Sequence, residues 1–239
     1  MNYGAILAGG TGSRINILNY PKQFYTIKGK PVIIYTIEKM FFSNMIDIVY
    51  VAVNKEYLEE TKELLKKYNL SDKVVLISGG KTRLDTIDNV INEIVRTKEV
   101  SEDDIILIHD AVRPFVTNKI INDSIETARK YGACVATIPA VDTIVASKEK
   151  KIVDYIPNRN ELFCGQSPDT FNLREFIKME QNLTLEQKRL VTGTSQICTF
   201  NNKKIYMVEG DPINFKITTD LDLLLAEKIV MEDLYEKDY

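Results

Sequence analysis

Two rhythms of apolar and polar positions alternate along the first 140 residues of the chain. Residues 3–7 form a short apolar run ending at a glycine-rich stretch, the pattern of a buried strand. Pro31 opens a helix through Phe42, with Ile33, Ile37, Met40 and Phe41 on one face. Residues 46–53 return to the strand pattern. Residues 56–68 repeat at Leu58, Thr61, Leu65 and Tyr68, again helical. A short strand over 74–77 breaks at Gly79-Gly80, and residues 83–95 place Leu84, Ile87, Val90, Ile91 and Ile94 on one helical face. The run 105–108 is too short for a helix and reads as a buried strand, followed by a helix over 118–131 and a strand over 133–138.

Strands separated by helices imply a parallel sheet covered on both faces. The expected fold is therefore α/β, a Rossmann-like and mostly parallel sheet with helices on both sides. Ligands of such sheets gather at the carboxyl ends of the strands. Here those ends carry Gly9-Gly10, Gly79-Gly80 and His109-Asp110. Beyond Pro139 the alternation stops. Extended runs at 143–145 and 152–156 flank the charged turn Lys148-Glu149-Lys150-Lys151 and read as a projecting hairpin. A helix over 173–181, a strand over 205–209 and a final helix from Asp220 complete the expectation, all within one domain of residues 1–239.

Composition narrows the function. The 239 residues are 44% hydrophobic and 27% charged with a net charge of −3, so no basic surplus exists to neutralise a run of nucleic-acid phosphates. No apolar stretch approaches the ~18 residues of a membrane span. The glycines and Arg14 interrupt the N-terminus before a signal-peptide pattern can form, which makes the cytoplasm the expected location. Cys134, Cys164 and Cys198 are widely spaced and match neither a zinc site nor a disulfide framework.

The chemistry concentrates in four motifs. Leu7-Ala8-Gly9-Gly10-Thr11-Gly12-Ser13-Arg14, followed by Pro21-Lys22-Gln23, combines three glycines with two cations. Free backbone N–H groups and fixed positive charge suit phosphate oxygens, although the stretch is neither a Walker A loop nor a dinucleotide fingerprint, and an ordinary tight turn has the same look. In Gly79-Gly80-Lys81-Thr82-Arg83-Leu84-Asp85-Thr86, backbone groups and the Thr86 hydroxyl could read a nucleobase edge, or the stretch could be a turn before a capped helix. His109-Asp110-Ala111-Val112-Arg113-Pro114 offers Asp110 as a magnesium ligand beside phosphates, or as a helix cap or partner of Arg113. His109, the only histidine, reads as structural. Asn214-Phe215-Lys216-Ile217-Thr218-Thr219 puts a lysine in an apolar extended run, a costly arrangement unless it meets an anion, and otherwise a solvated edge lysine.

In this order the four motifs resemble one family. The chain is similar, from residue 3 to about 228, to the cytidylyltransferases that join CTP to a sugar-alcohol phosphate, the methylerythritol-phosphate and ribitol-5-phosphate enzymes. Ile156-Pro157-Asn158-Arg159 and Gly165-Gln166-Ser167-Pro168 look closer to the ribitol branch, so the expected reaction gives CDP-ribitol for teichoic-acid or capsule synthesis, with the methylerythritol reaction of isoprenoid synthesis as the alternative. The resemblance implies a nucleotidyltransferase fold of the GT-A kind. Leu7, Ala8, Gly9, Gly10, Gly12 and Ser13 would wrap the CTP phosphates, and Arg14, Lys22 and Lys216 would act on the α-phosphate. Gly80, Arg83 and Thr86 would lie around the cytosine, and Asp110 would bind Mg2+ or another divalent ion. Thr143, Arg159 and Thr192 would hold the acceptor phosphate, partly across a homodimer built by an arm at about 140–165. Four positions depart from the family pattern: Lys81 stands in place of an acid, Ser167 and Asp169 replace the threonine and second glutamine of Q-T-P-Q, and Gly193 follows Thr192 where aspartate is usual. A nucleotide-binding regulator without turnover, or a transferase for another nucleotide, is the competing reading, and the three cations speak for turnover.

Overall fold

The computed structural model describes residues 1–9 and 21–235. Its centre is a seven-stranded sheet. Strands β1 (Asn2–Ala8), β4 (Ile48–Val53), β5 (Val74–Ser78) and β6 (Ile105–Asp110) are mutually parallel, in the order β5-β4-β1-β6. The other half adds β8 (Phe163–Asn172), β7 (Ala133–Pro139) and β9 (Tyr206–Glu209). β8 runs antiparallel to both β6 and β7, while β9 is parallel to β7. A two-residue pair, β2 (Thr26–Ile27) and β3 (Lys30–Pro31), lies outside this sheet.

Period-two alternation along the strands creates two cores. On β1, β4 and β6 the residues Ile6, Val49, Val51 and Leu107 face one side, under helices α1 (Val32–Phe41), α2 (Leu58–Lys67) and α4 (Asn118–Tyr131). Tyr3, Tyr50, Ile106 and Ile108 face the other side, under α3 (Arg83–Thr97), α5 (Leu173–Gln181) and the short α7 (Gln196–Phe200). Each fully buried aliphatic side chain of this kind contributes about 1.5–3 kcal/mol. A third cluster joins Val32, Phe115 and Ile217 to helix α8 (Asp220–Met231). Helix α6 (Leu185–Leu190) sits between α5 and α7 in the chain. Among the described residues no helix is long and apolar enough to cross a membrane.

Two expectations need correction. The segment after β7 forms no regular hairpin: a single antiparallel bridge, Ala146 with Tyr155, holds the turn together. Many of its apolar side chains, among them Val141, Val145, Ile152, Tyr155 and Ile156, are exposed, so nothing among the described residues buries the face that would stiffen the strands. Lys216 likewise lies outside any strand, in an irregular stretch before α8.

Candidate active site

The ends of β1, β5 and β6 open onto a cavity of about 380 Å³, as expected for a parallel sheet. On its first wall Leu7, Ala8 and Gly9 leave β1, and Gln23 Nε2 donates to the Ala8 carbonyl at 2.8 Å. On the second, Gly79 passes so close to the neighbouring loop that an added Cβ would sit 3.3 Å from the Val53 carbonyl and 3.4 Å from Gly9 Cα. At Gly80 the demand is absolute, since a Cβ would fall 2.3 Å from Asp85 Cβ. Helix α3 begins directly afterwards, with Thr82 and Asp85 forming a reciprocal capping box. The Thr86 hydroxyl donates to the Thr82 carbonyl at 2.8 Å and accepts from Gly80 N–H at 3.0 Å. Its proton is therefore committed to the loop's own frame, while the residue still lines the cavity.

Asp110 forms the floor at the end of β6, and both of its oxygens face cations. Arg83 Nη1 donates to Oδ1 at 2.6 Å. Arg113 Nε lies 3.4 Å and Lys216 Nζ 3.0 Å from Oδ2. These three positive charges hold the Asp110 carboxyl far below the usual carboxylate range, outweighing its burial. Arg113 is buried, and burial lowers its own pKa; Nη1 donates to the Asn214 carbonyl at 2.7 Å. So the sequence alternatives for Asp110 are not exclusive: it is an ion-pair partner of Arg113 and also lines the cavity.

His109 points away from the cavity into the core. It is fully buried, its Nε2 lies 3.0 Å from the Arg113 carbonyl and its Nδ1 2.9 Å from Ser167 Oγ. A carbonyl only accepts, so Nε2 carries the proton and Nδ1 accepts from the serine hydroxyl. Burial pushes the imidazole down to about 4, and both nitrogens are committed. Ser167 Oγ also accepts the Asp110 N–H at 3.1 Å, so this pair fixes the end of β6 rather than moving protons for a substrate.

The structure thus gathers Leu7, Ala8, Gly9, Lys22, Gly80, Arg83, Thr86, Asp110 and Lys216 around one cavity. Lys22 is nearly buried, and its ammonium donates to the Thr218 carbonyl at 2.9 Å. Lys81 also lines the opening, so its departure from the family pattern adds another cation there. Gly10, Gly12, Ser13 and Arg14 lie outside the described residues. The three acceptor candidates do not line the cavity. Thr143 and Arg159 are exposed on the projecting segment, where Arg159 Nη1 donates to the Val141 carbonyl at 3.1 Å. Thr192 is exposed just after α6, with its N–H and hydroxyl both donating to Gln196 Oε1 at 2.6 and 2.9 Å.

Sequence reasoning offered Arg113 only as a partner of Asp110 and gave no role to Asn214, Ser167, Asp169 or Thr194. Asn214 stood inside the motif of Lys216, and its carbonyl accepts from Arg113. Asp169 was visible only as a departure. It is buried on β8 beside Ile108, where burial pushes its carboxyl up to about 7. Thr194 carried no signal in the chain.

Comparison with known proteins places this arrangement. The family model of IspD, 2-C-methyl-D-erythritol 4-phosphate cytidylyltransferase, matches residues 4–232. Among solved structures, the 4-diphosphocytidyl-2C-methyl-D-erythritol synthase of Anaerococcus prevotii is 25% identical, with a TM-score of 0.79 and coverage of 96% of each chain. The 2-C-methyl-D-erythritol 4-phosphate cytidylyltransferase of Francisella tularensis is 27% identical, with a TM-score of 0.77 over 95% of this chain and 98% of that one. The enzyme of the same name from Thermus thermophilus, at 22% identity and a TM-score of 0.72 over 95% and 98%, shares the fold. With a match that spans nearly the whole chain, from β1 through α8, this protein belongs to the IspD family and is a cytidylyltransferase.

Proposed function

We propose that the chain transfers the cytidylyl group of CTP to 2-C-methyl-D-erythritol 4-phosphate, releasing pyrophosphate, as a step of isoprenoid synthesis. The observation that carries nucleotidyl transfer is the convergence of Lys22, Arg83 and Lys216 on one cavity at the strand ends. An acceptor phosphate oxygen attacks the α-phosphorus, a bond forms there, and the bond to the oxygen bridging to the β-phosphorus breaks with its electron pair leaving on pyrophosphate. Nucleotide and acceptor are both anions, so fixed cations must offset their repulsion and the charge that grows in the transition state. Lys216 and Lys22 supply that charge from the two loops that meet at Thr218. Arg14 is assigned the same task from the glycine-rich segment.

Among the described residues no group of three or more His, Cys, Asp or Glu side chains is arranged to hold a metal. A lone carboxylate beside a phosphate cavity nevertheless suits Mg2+, which takes one or two carboxylates and completes its shell with phosphate and water. Asp110 is the residue that would hold it, and the ion, when bound, supplies further neutralisation of the nucleotide phosphates. Thr143, Arg159 and Thr192 are proposed to hold the acceptor. Because the first two stand on an exposed apolar segment, the arm of a second copy is proposed to complete each site in a homodimer. Reactants of this kind are water-soluble phosphates, in keeping with the cytoplasmic location expected from the sequence.

The sequence motifs alone put ribitol 5-phosphate first. The family model and the solved relatives at 25–27% identity instead carry the methylerythritol activity, which reverses that order. Ribitol 5-phosphate stays as a second reading because Gly193 removes a carboxylate next to Thr192. Pyrophosphate release from CTP is the test, with 2-C-methyl-D-erythritol 4-phosphate, ribitol 5-phosphate, glycerol 3-phosphate and xylulose 5-phosphate as acceptors. A kcat/KM at least tenfold higher for the first supports the proposal. A preference for ribitol 5-phosphate overturns the acceptor and keeps the chemistry, and release with none of the four overturns this account of the acceptor site.

A further inference from the structure

The Arg83 guanidinium has three nitrogens, and each meets a different element of the fold. Nη1 donates to Asp110 at the end of β6 at 2.6 Å. Nε donates to Thr194 Oγ1 at 3.4 Å, and Nη2 lies 3.9 Å from Asp169 Oδ2 on β8. The Thr194 hydroxyl also favours the charged form of Asp169, so Arg83, Thr194 and Asp169 form one cluster in which the hydroxyl accepts from the arginine. Thr194 is fully buried and Asp169 is 5% exposed. Burying a carboxylate at this place is costly without partners, and the thiols of Cys134 and Cys198 nearby offer it little.

Thr194 belongs to the same short segment as Thr192. Gln196 Oε1 accepts the N–H groups of Thr192 and Gly193 and the Thr192 hydroxyl, gathering that turn into one body. Thr194 anchors the same turn from inside, its carbonyl accepting the Ile197 N–H at 3.1 Å. Arg83 also lines the nucleotide cavity. One guanidinium therefore touches both the cavity and the anchor of the turn that presents Thr192.

We propose that Asp169 and Thr194 are positioning residues that lock the outer edge of the Arg83 guanidinium, so that the turn presenting Thr192 to the acceptor is held in register with the nucleotide cavity. The proposal rests on the acceptor role assigned to Thr192. Asp110 holds the inner edge of Arg83 independently, so loss of the outer contacts frees the turn while the nucleotide wall stays in place. Nucleotide and acceptor binding are then coupled through one side chain, and the coupling is reciprocal.

The tests are a KM split and an exchange measurement that needs no acceptor. Thr194→Val keeps the side-chain volume and removes the hydroxyl. It should raise the acceptor KM about tenfold while leaving the CTP KM within about twofold, the loss expected for hydrogen bonds to charged groups. Thr194→Ser should restore the wild-type value. Asp169→Asn, which keeps Arg83 and its Asp110 contact and removes the charge at the outer edge, should reproduce the acceptor defect should Thr194→Val not fold. Independently, CTP with Mg2+ should slow amide hydrogen exchange over residues 191–196 in the wild-type protein, and the slowing should vanish in Thr194→Val or Asp169→Asn. Equal rises in both KM values, absence of rescue by serine, or CTP protection that persists in the variants overturns the proposal. An acceptor panel without turnover, together with intact CTP protection that the variants abolish, instead counts against the acceptor assignment and leaves the coupling standing.

Discussion

Asp110 shows how much a single carboxylate can be asked to do. It balances Arg83, Arg113 and Lys216 and still faces the cavity. Asp110→Asn should therefore raise the Mg2+ concentration needed for half-maximal activity and also destabilise the protein by about 3 kcal/mol, because Arg113 loses the counter-charge for its buried guanidinium. Metal titration of activity and urea denaturation check the two parts; an unchanged titration with lowered stability would make Asp110 a structural partner only. His109 gives the pH signature. Its folded pKa of about 4 lies below the unfolded value near 6.5. The stability tied to its neutral form is full above pH 6.5 and is lost as pH falls towards 4, about 3 kcal/mol in all. The pH dependence of unfolding between pH 7.5 and 4.5 should accordingly be shallower in His109→Gln than in wild type, and equal slopes would contradict the burial argument. At this scale the sequence was legible where a motif compressed the site into consecutive residues: Asp110 and Arg113 were on view together, and the isolated histidine read correctly as structural. The Asp169–Thr194 pair was illegible, because its partners come from α3, β8 and a turn far apart in the chain.

Helix α3 is the element whose ends and faces carry the most. Its first turn frames the cavity, and its middle packs Ile87, Val90, Ile91 and Ile94 on the sheet. Asp88 pays a penalty for that position. Burial, reinforced by Glu180 and Asp85 and opposed by Lys188, pushes its carboxyl up to about 6. A raised carboxylate pKa gives stability that is complete below the unfolded value near 3.8 and is lost as pH rises through 6. Asp88→Asn should then stabilise at pH 7.5 by about 1 kcal/mol once solvent screening of this half-buried group is allowed for, or about 2–4 °C in Tm. It should change nothing at pH 3.5. Thermal melts at the two pH values decide it, and a gain at both would place the effect elsewhere. Elements as long as α3 and α4 declared themselves through a 3.6-residue period. Helices α6 and α7 did not, since six and five residues span too few turns for a period to show. Strand β8 was missed for a different reason. Gly165, Pro168 and Asp169 break the strand signal, and its position was settled by pairing on both sides with β6 and β7.

At the scale of the whole molecule, polarity divides the protein. The cavity side is rich in cations although the chain is net acidic, while the segment between β7 and β8 displays apolar side chains to solvent. In the homodimer proposed above this patch is the surface between the two copies. Substituting Val145, Ile152 and Ile156 together by serine should shift sedimentation from dimer to monomer and cut turnover at least tenfold while leaving CTP binding near its starting value; a monomeric wild type would remove the arm from the site. Mixing an Arg159→Lys variant with a Lys216→Ala variant should recover activity in hybrid dimers, since one site of the hybrid carries both intact residues. Recovery absent from verified hybrids would mean that each site is built from one chain.

The direction of β8 has a further consequence. Because β7 leaves the sheet and the adjacent β8 re-enters it antiparallel at the same end, with Pro139 paired to Phe163, the excursion between them begins and ends at one place. Residues added to or removed from its tip shift no strand register and expose no core. Its closure entropy grows only with the logarithm of its length, about 0.6 kcal/mol for each doubling. Length and sequence can therefore drift freely there, so the acceptor contacts proposed for this segment can be rewritten without disturbing the cavity at the other strand ends.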